Sequence, residues 1–266
     1  MLLNHSVSDN VVAIATDTIA QALPSTSPTA TCGMTEESRL GISEIPESLG
    51  CSDSMAVSPE VTKAFFAFLR LTQNPAEFTA IYDLDEVLRQ QPISEIACAY
   101  LKAQPGMAEL LETRYLPAPP DLDQLLTYPK NSLGYCYAKH LRDHQFEPVF
   151  YRQREAQDDI SYLTLRRSQT HDIHHVITGF GTDLAGEIGL QAFQLAQMRS
   201  PLAIALMASA IVHAIAQPEL LNAMMQQIAI GWEMGCQAQS VFAQKWEEAW
   251  EKPVEVWRQE LNIRAR

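Results

Sequence analysis

Apolar positions recur at three- and four-residue spacing from Thr62 onward. Phe65, Phe66, Phe68 and Leu69 form one stripe, and Ile81, Leu84, Val87 and Leu88 form another. That period is the mark of helices with one buried face, so both stripes are expected to be core. Pro92, Pro105 and the Pro117 to Pro120 cluster cut the pattern into short helices. The stretch from Leu202 to Ala216, bounded by Pro201 and Pro218, is apolar nearly all round. A bilayer crossing needs about 20 apolar residues, so this stretch reads as a buried helix. Its Ala203, Ala205, Ala208 and Ala210 permit close helix approach or leave room for an apolar ligand. Strand alternation is scarce, the best candidate being Pro148 to Tyr151. The first fifty residues are rich in Ser and Thr, with Pro24, Pro28 and Pro46, and hold only one short helical stretch, Val11 to Leu23. The expectation is an all-α fold: a variable, disordered or loose extension over 1–58, then a single mostly helical domain over 59–266.

Within that domain one segment carries chemistry. His171 and His175 are four residues apart and share a helix face, and Asp172 lies three residues before His175. Glu187 follows after eleven intervening residues. Along one continuous helix it would lie roughly 18 Å away at a rise of about 1.5 Å per residue. Thr178, Gly179, Phe180, Gly181, Thr182 and Asp183 supply turn and N-cap chemistry instead. The expected unit is an antiparallel helix hairpin that sets Glu187 opposite the two imidazoles. Two nitrogens and two carboxylates suit zinc first, with iron or manganese as alternatives and magnesium a weaker one. His174 could stand in for His175 but is expected to pack or support. Asp172 occupies the place of the glutamate base of zinc-protease helices with a shorter reach, which leaves a hydrolase reading without a base. His140 and His144 are also four apart, but Arg142 and Asp143 between them indicate a solvated face. His213 reads as a satisfied core histidine.

Charge and cysteines narrow the setting. A formal net charge of -13 and a pI near 4.9 argue against a nucleic-acid partner and against electrostatic docking on anionic lipid. Cys32, Cys51, Cys98, Cys136 and Cys236 are widely spaced and odd in number, which fits a reducing compartment. Acidic residues near the start oppose a mitochondrial presequence, and no secretory or transmembrane segment is visible.

Three further features join the histidine motif: PKNSLGYCY over Pro129 to Tyr137, Tyr162 with Arg166 upstream of His171, and the terminal WEEAWEKPVEVWRQELNI. From about Met107 to Ile263 the chain resembles the coenzyme Q biosynthesis protein 4 family. The resemblance implies an all-helical, zinc-containing protein with ligands at His171, Asp172, His175 and Glu187. It also implies an apolar channel for prenyl lipid, peripheral membrane contact, and work beside other quinone-biosynthesis proteins. Tyr162 and Arg166 are expected to stand behind the ligands, with an Arg166 ion pair to Asp158 or Asp159 as the alternative. The chain departs from the family in its long acidic N-terminal extension and lack of an organellar presequence, which suggests a bacterial-type setting: cytoplasmic, with peripheral contact on the inner face of a membrane as an option.

Two functions remain open at this point. One is a metal-dependent carbon–carbon lyase that removes the ring carboxylate of a polyprenylated hydroxybenzoate. Because zinc transfers no electrons, oxidation at that carbon would need dioxygen, a partner or a different metal. The other is a non-catalytic lipid-binding scaffold for a quinone-biosynthesis complex. Trp246 and Trp250, four apart, are expected on one helix face packed on the core, with a homo-oligomer interface as the alternative.

Overall fold

The computed structural model describes residues 58–152 and 155–265. The expected helix at 11–23 and the rest of the extension lie outside them. Among the described residues there are twelve α-helices and no strand. They are α1 (Pro59–Gln73), α2 (Phe78–Leu88), α3 (Pro92–Lys102), α4 (Met107–Thr113), α5 (Leu122–Leu125) and α6 (Leu133–His144). There follow α7 (Asp159–Gln169), α8 (His171–Thr178), α9 (Leu184–Met198), α10 (Pro201–His213), α11 (Leu221–Gln237) and α12 (Val254–Glu260). The prolines act as read: Pro59, Pro92 and Pro201 each open a helix, where a missing N–H costs nothing. The strand expected at Pro148 to Tyr151 does not form; these residues are irregular. Among the described residues the extended backbone pairing is one isolated bridge, Ser132 to Pro253, which ties the entry of α6 to the C-terminal segment.

The main core gathers Leu133, Tyr137 and Leu141 of α6, Tyr162 of α7, Ile173 and Ile177 of α8, Leu190 and Phe193 of α9, and Trp246 and Trp257. Helices α9 and α11 pack with little between them. A Cβ on Gly231 would stand 2.0 Å from the Gly189 carbonyl oxygen, so only a glycine admits this approach. Gln197 reinforces the pair, donating to the Gly235 carbonyl at 2.7 Å and accepting from the Val241 amide at 3.1 Å. A second cluster joins α1, α2 and α10 through Leu71, Leu84 and Leu202.

Three expectations about packing are corrected. The α1 stripe is not core: Phe65, Phe66 and Leu69 are exposed, while Ala67 and Leu71 are buried. Helix α10 is not buried all round, since Ile204, Ile211 and Val212 face outward. Trp246 and Trp250 do not share an α-helix. Trp246 lies in a short 3-10 turn and is fully buried, whereas Trp250 stacks on Tyr137 at 5.2 Å. Pro253 caps the start of α12 at Val254. His213 is held as expected, its Nδ1 2.8 Å from the Thr72 carbonyl oxygen.

Candidate metal centre

Helix α8 is only eight residues long, and its C-terminal end is held from elsewhere in the chain. It is separated from α7 at Thr170, which departs from helical geometry (φ -100°, ψ 3°). Gly179 closes it in the left-handed region at φ 81°, and its amide reaches back to the His175 carbonyl. Arg258 of α12 donates from Nε to the Ile177 carbonyl at 2.9 Å and from Nη2 to that of Val176 at 3.1 Å, satisfying carbonyls that the helix end leaves free. The returning chain is capped by Asp183, whose side chain accepts from the Gly186 amide at 2.7 Å. A Cβ on Gly186 would lie 2.2 Å from the Gly181 carbonyl oxygen, so this glycine lets α9 begin hard against the turn. Glu187, the next residue, is thereby delivered to α8.

The ring nitrogens converge. His171 Nε2 and His175 Nε2 are 3.2 Å apart. Glu187 Oε1 is 3.2 Å from His175 Nε2, and its Oε2 is 3.5 Å from His171 Nε2. His171, Asp172 and His175 each offer a ligand atom within 4.8 Å of the others. His175 Nδ1 lies 3.0 Å from the Phe180 carbonyl oxygen; an N–H there donates to that oxygen and leaves the Nε2 lone pair free for the cluster. The two imidazoles thus face the Glu187 carboxylate across the turn and have Asp172 close by on their own helix, and two nitrogens with two carboxylates are a donor set that fits zinc, iron or manganese.

The electrostatics are those of a carboxylate paired with two imidazoles. Burial raises the Glu187 carboxyl, but the hydrogen bonds from His171 and His175 outweigh it and bring the group down to about 2. Burial works against a charged His175, yet the Glu187 carboxylate, the Phe180 carbonyl and Asp172 raise its pKa overall. His174 points the other way. It is fully buried, edge-on to Phe242 at 5.0 Å, with Nδ1 3.4 Å from Gln194 Nε2, and burial holds it well below the ordinary histidine value. It packs as a neutral ring on the core side of α8.

A cavity of about 400 Å³ opens beside the cluster, with His171 and Glu187 in its wall. The rest of the lining is largely apolar, including Phe78, Phe150, Leu165, Ile188, Leu202 and Leu206. The Tyr82 hydroxyl donates to the Phe150 carbonyl at 3.0 Å, which pins the 146–152 segment over this space.

Tyr162 and Arg166 are not brought to the cluster. At about 100° per residue, the five positions between Arg166 and His171 turn the two side chains to different faces, and Glu247 with the Gln244 carbonyl holds the guanidinium away. Arg166 is buried against Glu247, not paired at the surface with Asp158 or Asp159. Asp159 instead pairs with Lys102 and Arg114. The Tyr162 hydroxyl donates to the Tyr115 carbonyl at 3.2 Å. Sequence reasoning also misplaced His140, whose ring is not on a solvated face: it stacks on His175 at 5.7 Å. A signal for this was present, since His140 adjoins Leu141 and lies three residues after Tyr137 on the buried stripe of α6.

Among the described residues no helix is long and apolar enough to cross a membrane. The chain is similar to proteins named for ubiquinone biosynthesis. It is 33% identical over 150 residues to the mitochondrial ubiquinone biosynthesis protein COQ4 of Eremothecium gossypii, covering 54% of this chain and 45% of that protein. It is 28% identical over 173 residues to the mitochondrial COQ4 homologue of Bos taurus, covering 61% of this chain and 63% of the other. The chain thus spans about half to two thirds of the length of these relatives. A crystal structure of a candidate ubiquinone biosynthesis protein from Nostoc punctiforme PCC 73102 superposes with a TM-score of 0.69 at 34% identity, covering 77% of this chain and 98% of that one. The family model described as coenzyme Q (ubiquinone) biosynthesis protein Coq4 matches residues 60–266, the whole helical region and the histidine cluster with it. On these grounds the chain belongs to the Coq4 family, whose members are involved in ubiquinone biosynthesis.

Proposed function

We propose that the protein is a metal-dependent, prenyl-lipid-binding lyase that removes the ring carboxylate of a polyprenylated hydroxybenzoate. The observation that carries this reading is the double membership of His171 and Glu187, which belong both to the ligand cluster and to the wall of the apolar cavity. A substrate whose tail fills the cavity therefore has its polar ring end beside the cluster. When bound there, a divalent cation supplies Lewis-acid stabilisation of a carboxylate or phenolate. The residues do the rest. Phe180 fixes the His175 tautomer, Asp172 and Glu187 contribute the negative charge that favours a cation, and the walls around Ile188 and Leu206 exclude water from the reacting end. In the reaction the bond between ring carbon and carboxyl carbon breaks, its electron pair stays on the ring, and that carbon takes up a proton. Other quinone-biosynthesis proteins would supply and remove the prenylated rings.

The scaffold reading draws on a different observation: Phe65 and Phe66 of α1 and Ile215 after α10 are exposed apolar side chains suited to docking on membrane or protein. One experiment separates the two. The purified protein is assayed for bound metal and extracted lipid, then given a prenylated hydroxybenzoate with and without added zinc, iron or manganese. The lyase reading expects metal-dependent loss of carbon dioxide, and His175→Ala should lose both metal and turnover while keeping its helical content. Full metal occupancy in that variant contradicts the ligand assignment. Lipid binding without conversion by the metal-loaded protein favours the scaffold.

A further inference from the structure

Helix α6 brings a third imidazole to the cluster from outside the histidine motif. The His140 ring lies nearly parallel to that of His175, with planes 22° apart. Its Nε2 is 3.8 Å from Asp172 Oδ1, with the two side chains 14% and 8% exposed. That separation exceeds a hydrogen bond by less than about 1 Å. The same Nε2 is buried and has no hydrogen-bond partner, a condition that costs free energy unless a partner comes into reach. The ring has little freedom to turn elsewhere. His144 packs against it at 4.7 Å and is itself held, Nδ1 to the His140 carbonyl oxygen at 2.8 Å, while Phe146 closes a further edge at 6.2 Å.

Asp172 has two oxygens and stands between two demands. A carboxylate that binds a cation through one oxygen is free to rotate about its own axis unless the other oxygen is held, and such supporting partners set ligand orientation and affinity. The geometry points to His140 as that partner: a positioning residue whose Nε2–H donates to the Asp172 carboxylate and turns its remaining oxygen toward the point shared by His171 and His175. His140 touches neither substrate nor cation in this role. The inference rests on the metal-centre reading above and deepens it, because it names a support that the His-Asp-x-x-His spacing does not contain.

The test uses the full chain, stripped of metal and titrated with zinc in competition with a chromophoric chelator. His140→Phe keeps an aromatic ring against His175 but removes the donor, and His140→Gln restores an N–H near the place of Nε2. The expected result is zinc affinity about 10- to 100-fold weaker for His140→Phe and within about threefold of the wild type for His140→Gln. A purely packing role would give the opposite order, with Phe preserved and Gln impaired. Wild-type affinity in His140→Phe, or equal losses in both variants, overturns the inference. Should His140→Phe not fold, His140→Met against His140→Gln makes the same comparison. His175→Ala serves as the control: zinc binding by the wild type that His175→Ala abolishes and His140→Phe leaves unchanged sinks the positioning role alone. A wild type that takes up no zinc, iron or manganese sinks the metal-centre reading and this inference together.

Discussion

The Arg166 guanidinium forks onto the Glu247 carboxylate, Nη1 to Oε1 at 2.5 Å and Nη2 to Oε2 at 2.9 Å, joining the helix before the histidine motif to the C-terminal tryptophan segment. Both side chains are buried, at 2% and 9% exposure. Further bonds to the Gln244 carbonyl and to Gln169 Oε1 occupy more of the donors. Removing the carboxylate leaves a guanidinium in the core with its partner gone, a change that costs about 3–5 kcal/mol. Glu247→Ala should therefore unfold at markedly lower urea, and adding Arg166→Met should recover a large part of the loss. An unchanged midpoint for Glu247→Ala would mean that water serves Arg166 equally well.

Acid and base should bound the stability that the metal-free cluster contributes. The Glu187 carboxyl, lowered from 4.5 to about 2, stabilises the fold above pH 4.5 and loses that contribution as pH falls toward 2. His175, raised from 6.5, contributes fully below pH 6.5 and loses its share as pH rises through the higher folded value. The two shifts describe one shared interaction, which is strongest between those limits. Melting temperatures of chelator-treated wild type and Glu187→Gln should differ most from about pH 4.5 to 6.5. A constant difference from pH 3 to 9, on the order of the whole range scanned, would refute the pairing.

An alanine in place of a helical glycine ordinarily stabilises by about 0.5–1 kcal/mol. At Gly231 the sign should reverse. The new methyl would meet the Gly189 carbonyl oxygen at 2.0 Å and the Phe193 amide nitrogen at 3.1 Å, and both are backbone atoms that a rotamer change cannot move. Gly231→Ala is expected to cost about 1–3 kcal/mol, measured by denaturant titration. A stabilised variant would show that α9 and α11 part without penalty.

Leu206 lines the cavity from α10 and is only partly buried, so a larger side chain there can occupy ligand space without breaking the core. Leu206→Trp should reduce the lipid recovered by mass spectrometry several-fold, by about the loss that filling most of such an apolar site implies. Its metal content should stay at the wild-type level. Undiminished lipid in that variant would place the tail elsewhere.

Much of this arrangement was legible in the residues, and the boundary of legibility is physical. Helix class, the proline-opened helices and the reversal after Thr178 follow from local chemistry, because capping and turn preferences act over a few residues. The approach of Glu187 to His171 and His175 was inferable because a turn was written between them. For His140 the helix period could place the ring beside the buried stripe of α6 but not against His175, since only the packing of α6 on α8 brings it there, and Arg142 and Asp143 beside it gave that helix a polar look. Arg166 escaped for a related reason: the helix period turns it away from His171, and the Glu247 that holds it lies far along the chain. The exposed Phe65 and Phe66 show the same limit in reverse: period locates a face but does not say what lies against it.

Glu187 is shared property, a ligand candidate on one side and a piece of the cavity floor on the other. Whatever touches that carboxylate from the cavity alters how firmly it can hold a cation. By thermodynamic reciprocity a cation held there would alter the affinity for a cavity ligand by the same factor. Under the proposed function, loading of one would be readable as a change in affinity for the other, and a shortage of metal would also reset the hold on whatever fills the cavity.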